Sequence, residues 1–328
     1  MKNALTRREL LAAGGAAALA LSGARALATP LSPPASSAVG PATHTNTGIT
    51  VPKPMATRPI PRSGEKLPCI GLGTWQSFDI KPEDDPSRRA VLEVLFAAGG
   101  TVIDSSPMYG RSEATVGRLL TAMGAQQKPF RATKVWTSGK ESGVREMTRS
   151  LERMTVPQGR PFALMQVHNL QDVATHIPTL KAWKAEGRIR YIGVTHYMQS
   201  SFQALERWIT KERLDFIQLP YSIAYRHAET RLLDAAKDTG TAVLVNRPFE
   251  AGELFRQVRG RPLPGWAKEI GAASWAQVFL KWLLGHPAVI CPIPGTSKAK
   301  HMRDNAAAGV GPLPDAKLRE RIAAEVLA

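Results

Sequence analysis

Short, uniformly apolar runs recur along this chain, separated by stretches whose apolar positions repeat with helical spacing. The runs fall at Cys69–Thr74, Val102–Ser105, Ala132–Trp136, Ala163–Val167, Tyr191–Thr195, Phe216–Leu219, Ala242–Asn246 and Val289–Ile293. They do not alternate, which is the pattern of parallel strands buried on both faces. Between them, Arg88–Ala98, Glu113–Met123, Val144–Met154, Ile177–Glu186, Ser201–Ile209, Arg231–Thr239 and Ala273–Leu284 read as amphipathic helices. Eight strands alternating with helices predict an α/β chain closed into a (β/α)8 TIM barrel. An open doubly wound sheet competes, but no run here leads through G-x-G-x-x-G into a helix. Two additions flank the repeat. Thr57–Pro61 and Lys66–Cys69, linked through Ser63-Gly64, predict an N-terminal hairpin, and Pro314–Leu327 predicts a C-terminal extra helix.

The barrel accounts for residues 55–328 of the 328. Ahead of it, residues 1–28 carry a short charged start with the pair Arg7–Arg8, and an apolar run follows from Leu10 to Leu21. Ala26-Leu27-Ala28 then offers a small-x-small cleavage pattern. The run is short for a span of about 20 residues and is broken by Gly14 and Gly15. Together these features predict a cleaved twin-arginine signal peptide, read by the twin-arginine export machinery, with no stable membrane insertion after cleavage. The expected location is outside the cytoplasm, in the periplasm. Proteins on that route travel folded, often with a cofactor already bound. Residues 29–54, with Pro30, Pro33, Pro34, Pro41, Pro52 and Pro54 among small polar residues, predict a disordered tether.

The formal net charge is +16. Without residues 1–28 it falls only to +13, 39 basic against 26 acidic side chains. Such a surface suits a phosphorylated cofactor or anionic envelope polymers. No dense Lys/Arg run interleaves with aromatics, so nucleic acid is not an expected partner. Cys69 and Cys291 sit in separate apolar segments with no C-x-x-C pairing, and His176, His227 and His286 lack ligand spacing. No metal is expected. The chain also lacks G-x-S-x-G and G-x-x-x-x-G-K, which excludes the corresponding hydrolase and nucleotide-triphosphate classes.

In a barrel of this kind reactive groups stand at the C-terminal strand ends. There the second strand presents Asp104, with Tyr109 in the loop behind it; the third presents Lys134 and the fourth His168. Carbonyl reduction needs an acid for the developing alkoxide. A phenol has a pKa of about 10, and a neighbouring ammonium eases its ionisation. Lys134 fits that task for Tyr109, Asp104 fits holding the ammonium, and His168 fits orienting the substrate oxygen.

The segments IDSSPMYGRSEATVGRLL, ATKVW, ALMQVHN, GRIRYIGVTHY, FIQLPYS and ICPIPGTSKAKHMRDNAAA together resemble the successive signatures of the aldo-keto reductase family, over most of residues 56–310. The resemblance implies that Asp104, Tyr109, Lys134 and His168 form a catalytic tetrad. It implies NADP(H) as the cofactor, preferred over NAD(H), and a small carbonyl or alcohol as substrate. Cofactor contacts implied on the same basis are Gly73, Thr74, Thr195, His196, Gln218, Asn246 and Arg247. Gly295, Thr296, Ser297, Lys298, His301 and Asn305 join them around the helix after the last strand, with Arg303 beside His301. A helix N-terminus is a natural phosphate site, and Lys298 is the candidate for an adenosine 2′-phosphate. Trp75 and Trp136 are the expected walls of the substrate pocket, with Met108 and Tyr197 as further candidates. Two positions depart from the family pattern: His196 replaces an amide, and Asn246 stands where an aromatic often stacks on the nicotinamide. The resemblance thus implies an oxidoreductase, with a cofactor-binding sensor or ligand-binding barrel of little turnover as the alternative.

Overall fold

The computed structural model describes residues 54–328; the expected signal peptide and nearly all of the tether lie outside the described residues. Eight parallel strands form one sheet in chain order: β3 (Leu72–Gly73), β4 (Val102–Asp104), β5 (Phe130–Val135), β6 (Phe162–His168), β7 (Ile189–Thr195), β8 (Phe216–Pro220), β9 (Ala242–Asn246) and β10 (Val289–Pro292). The sheet curls until its edges meet. Gly71 N–H donates to Pro292 O at 3.0 Å, Gly73 N–H donates to Pro294 O at 3.3 Å, and Gly73 bridges Gly295 in parallel. Glycine is required at this seam, because a Cβ on Gly73 would lie 2.7 Å from the Ile293 carbonyl oxygen. The result is the (β/α)8 architecture.

The helices on the outside are α1 (Asp85–Ala97), α2 (Ser112–Ala122), α3 (Lys140–Arg153), α4 (Val173–Ala185), α5 (Phe202–Glu212), α6 (Leu232–Thr239), α7 (Glu253–Gln257), α8 (Trp275–Leu284), α9 (Ala299–Ala307) and α10 (Ala316–Leu327). Ser274 and Asp315 cap α8 and α10 by accepting from Gln277 N–H and Leu318 N–H, which satisfies backbone donors left free at a helix start. Two apolar layers result. Val91, Leu95, Leu180, Leu205, Ile217 and Phe279 pack between strands and helices, whereas Phe130, Leu164, Phe216, Leu244 and Ile290 fill the barrel interior. Each fully buried side chain of this size stabilises the fold by about 1.5–3 kcal/mol.

The N-terminal hairpin pairs β1 (Thr57–Pro59) with β2 (Lys66–Pro68) antiparallel and inserts Ile60 and Leu67 into the interior layer. It closes the end of the barrel where the strands begin. Arg58 binds it there by donating to the carbonyls of Leu284, His286 and Val289.

Three local expectations are corrected. The first barrel strand is not Cys69–Thr74 but only Leu72–Gly73; Cys69 and Ile70 are buried in the core, and Cys69 N–H donates to Ala56 O beside the hairpin rather than to a barrel strand. The fourth helix starts at Val173 rather than Ile177 and contains Pro178. Buried Val173, His176 and Ile177 hold that first turn although Pro178 lacks an N–H. The connection 249–264, read as loop, contains the short helix α7. Among the described residues no helix is long and apolar enough to cross a membrane, and no cluster of His, Cys, Asp or Glu suits a metal ion.

Candidate active site

The residues singled out in the sequence converge because parallel strands all end at one rim. Asp104 ends β4, Lys134 lies one residue from the end of β5, and His168 ends β6. Register places Lys134 opposite Gln166 and His168 opposite Thr195, with Thr195 opposite Gln218. Tyr109 sits in the turn before α2, its N–H donating to Ser106 O at 3.0 Å.

Asp104 and Lys134 form a fully buried ion pair, 2.6 Å apart. The ammonium also donates to Ser105 O at 2.7 Å. The other carboxylate oxygen of Asp104 accepts from the amides of Gln218 at 2.9 Å and Gln166 at 3.2 Å. Desolvation works against the Lys134 charge, but the charge and hydrogen bond of Asp104 outweigh it and hold the ammonium above its usual range. Lys134 stands 5.1 Å from the centre of the Tyr109 ring. Burial pushes the Tyr109 phenol above its ordinary value, while the Lys134 charge pulls it back. The tyrosine is therefore protonated at neutral pH, with the cation that favours its ionisation already in place.

His168 meets the edge of Tyr109, ring centres 5.7 Å apart, and lies 6.3 Å from Trp136. Burial, followed by the charges of Lys134 and His196, lowers its pKa to about 2. The ring is neutral across the physiological range. His196 is half-buried, stacked on Tyr197 at 5.4 Å, and its Nδ1 accepts from Met198 N–H. Thr195 Oγ1 donates to Gln218 Oε1 at 3.3 Å, so Thr195 and Gln218 are tied to the Asp104 network. Thr74 is buried behind Asp104, its hydroxyl hydrogen-bonded to the Asp104 carbonyl and to Ser105 Oγ.

After β10, Gly295, Thr296 and Ser297 lead into α9, with Lys298 as N-cap residue and no side-chain cap. Lys298 and Arg303 are exposed, and their side chains have no hydrogen-bond or ion-pair partner among the described residues. His301 is exposed and Asn305 is buried on the same helix. Arg247 is exposed in a left-handed turn (φ 52°) after β9, and the Asn246 Oδ1 beside it is buried without a partner. The predicted set thus contains a tetrad in mutual contact, with Thr74, Thr195 and Gln218 hydrogen-bonded around Asp104, and a group at the start of α9 with no side-chain hydrogen bond to it among the described residues. The side chains of Asn246 and Arg247 make no hydrogen bond to the tetrad.

Trp75, Met108, Trp136, Tyr197 and Met198 stand on the rim loops and are 39–53% exposed. They are five of the eight large apolar side chains exposed among the described residues, so the apolar surface left uncovered is concentrated at this opening.

Sequence reading missed Gln166 and Ser106. Gln166 lies two residues before His168, and the period of two along a strand was a signal that both face inward. Gly193 makes room for it, since a Cβ there would come within 3.2 Å of the Gln166 side chain. A buried carboxyl outside the barrel was missed as well: Glu113 accepts from Thr133 Oγ1 at 2.6 Å, and burial raises its pKa.

A profile of the Aldo/keto reductase family matches residues 69–323. Aldo-keto reductase str7 of Strobilurus tenacellus is 27% identical over 299 residues, 78% of this chain and 87% of that one. Aldo-keto reductase yakc (NADP(+)) of Schizosaccharomyces pombe is 23% identical, over 78% and 88% of the two chains. Among solved structures, an aldo/keto reductase from Klebsiella pneumoniae in complex with NADP and acetate superposes with a TM-score of 0.69 at 26% identity, covering 80% of this chain and 93% of that one. The match runs from the first barrel strand into the last helix and spans every strand end that contributes to the tetrad, and on that evidence the chain belongs to the aldo/keto reductase family of oxidoreductases.

Proposed function

We propose that this protein reduces small carbonyl compounds, or oxidises the corresponding alcohols, with NADP(H) as cofactor. The observation that carries the proposal is the buried Asp104–Lys134 pair beside a half-buried Tyr109 and a neutral His168. Tyr109 donates its proton to the carbonyl oxygen as negative charge develops there. Lys134 stabilises the phenolate left behind, and Asp104 offsets the cost of keeping that ammonium dry. His168 adds a hydrogen-bonding ring nitrogen without a second positive charge. The apolar rim of Trp75, Trp136, Met108 and Tyr197 supports a carbonyl substrate with a bulky apolar or aromatic substituent.

The residues present fit NADP(H). Uncapped N–H groups at the start of α9, with the unpaired Lys298 beside them, suit a phosphate. The partnerless Asn246 Oδ1 suits an amide N–H donor. When bound, the cofactor supplies the hydride. The NADP named for the Schizosaccharomyces and Klebsiella relatives supports the same choice. Fluorescence titration should give tighter binding of NADPH than of NADH. Lys298→Ala should weaken NADPH about tenfold or more, the scale of a charge-assisted contact, and leave NADH nearly unchanged. Equal losses would remove the 2′-phosphate role of Lys298. Failure to bind either nucleotide would favour a ligand-binding barrel without hydride chemistry.

Export is proposed on the Arg7–Arg8 pair and the small-residue site at Ala26–Ala28. Replacing both arginines with Lys should leave the protein in the cytoplasmic fraction. Undiminished export would point to another route.

A further inference from the structure

Ser106 lies next to the tetrad but has no part in the chemistry described above. It is fully buried, and its Oγ is 3.0 Å from His168 Nδ1. A neutral imidazole carries one N–H and one bare nitrogen, and the partner of one nitrogen decides what the other offers. The serine oxygen also accepts the Met108 N–H at 3.4 Å. Ser106 is fully buried and its hydroxyl hydrogen has no acceptor among the described residues other than the imidazole, so it donates to Nδ1. No protein group among the described residues hydrogen-bonds to His168 Nε2, and the ring stands edge-on to Tyr109.

The geometry points to Ser106 as the positioning residue that fixes the tautomer of His168: its hydroxyl donates to Nδ1, so the proton resides on Nε2, which faces the substrate oxygen as a donor. This rests on the carbonyl-reductase reading only for its catalytic consequence. The tautomer itself belongs to the resting protein. An Nε2–H and the Tyr109 hydroxyl then converge on one carbonyl oxygen, two neutral donors of which only the phenol gives up its proton. With the opposite tautomer, a bare Nε2 would repel that oxygen and compete for the phenolic hydrogen. Ser106 is thus built into the turn that carries Tyr109, and one segment, 104–109, sets the ion pair, the acid and the orientation of the histidine.

The test is the nitrogen-15 spectrum of the histidine-labelled protein, wild type and Ser106→Ala. In the wild type His168 should show a bare Nδ1 and a protonated Nε2, unchanged over roughly pH 5 to 9. Ser106→Ala should shift the ring toward a mixture of tautomers and lower kcat roughly tenfold, the scale of one lost hydrogen bond, with NADPH affinity unchanged. Ser106→Thr, which keeps the hydroxyl, should restore the wild-type signature. A protonated Nδ1 in the wild type would overturn the assignment whether or not any variant folds. So would an alanine variant with the wild-type tautomer. If no carbonyl is reduced by the wild type, the reductase reading fails while the spectrum still decides the role of Ser106.

Discussion

Tyr109→Phe should reduce carbonyl turnover by about 10²–10⁴-fold, the contribution of a positioned general acid, while NADPH binds as in the wild type. The expectation is this selective because the substitution removes one oxygen and little else. The phenyl ring can keep its edge contact with His168, 5.7 Å between centres, and its place 5.1 Å from Lys134. The Asp104–Lys134 pair and the Gln166 and Gln218 amides do not depend on the phenol for their hydrogen bonds. Steady-state kinetics on an aromatic aldehyde, set beside a nucleotide titration of the same preparation, would decide it. Turnover within about tenfold of wild type would show that the proton comes from elsewhere.

Lys134→Met carries the largest expected effect on stability. The ammonium is completely buried and Asp104 is 2% exposed, so the methionine would leave a carboxylate out of reach of water with only two amides for partners. Breaking a buried pair from one side costs about 3–5 kcal/mol, most of it the penalty of the charge left behind. Adding Asp104→Asn to the same protein should recover part of that loss, because neither charge then remains unpaired. Urea midpoints of the two single variants and the double variant would measure the coupling. A loss of less than about 1 kcal/mol for Lys134→Met would mean that solvent reaches the pair, contrary to its burial.

What the sequence made legible follows from the physics of each element. Strands buried on both faces are uniformly apolar, so the runs around Leu164, Val194 and Val243 stand out against the helices between them. That property misled at Cys69–Gly71, where a buried apolar segment that joins the hairpin to the barrel strand has the same composition. Pro178 hid the first turn of α4 because its effect on a helix is local, whereas the compensating contacts of Val173 and Ile177 come from tertiary packing. In the site, Asp104, Lys134 and His168 were visible as charged or polar residues ending apolar strands. Ser106 was not. A serine beside another serine in a turn has no composition signal, and its meaning depends on the 3.0 Å contact with a residue 62 positions away.

The seam between β3 and β10 bears on when the proposed nucleotide site can form. Strand ends from opposite extremes of the chain, Gly73 and Gly295, meet there, and Arg58 holds the carbonyl of Val289 across 231 residues. Contacts of such long sequence separation form late, since loop-closure entropy must be met before they contribute. On a ribosome, everything through β9 can be synthesised while the start of α9, the candidate phosphate site, does not yet exist. Until β10 and the start of α9 emerge, the strand that closes the barrel on β3 is missing. A nucleotide held at the start of α9, as proposed, can be bound only after this closure.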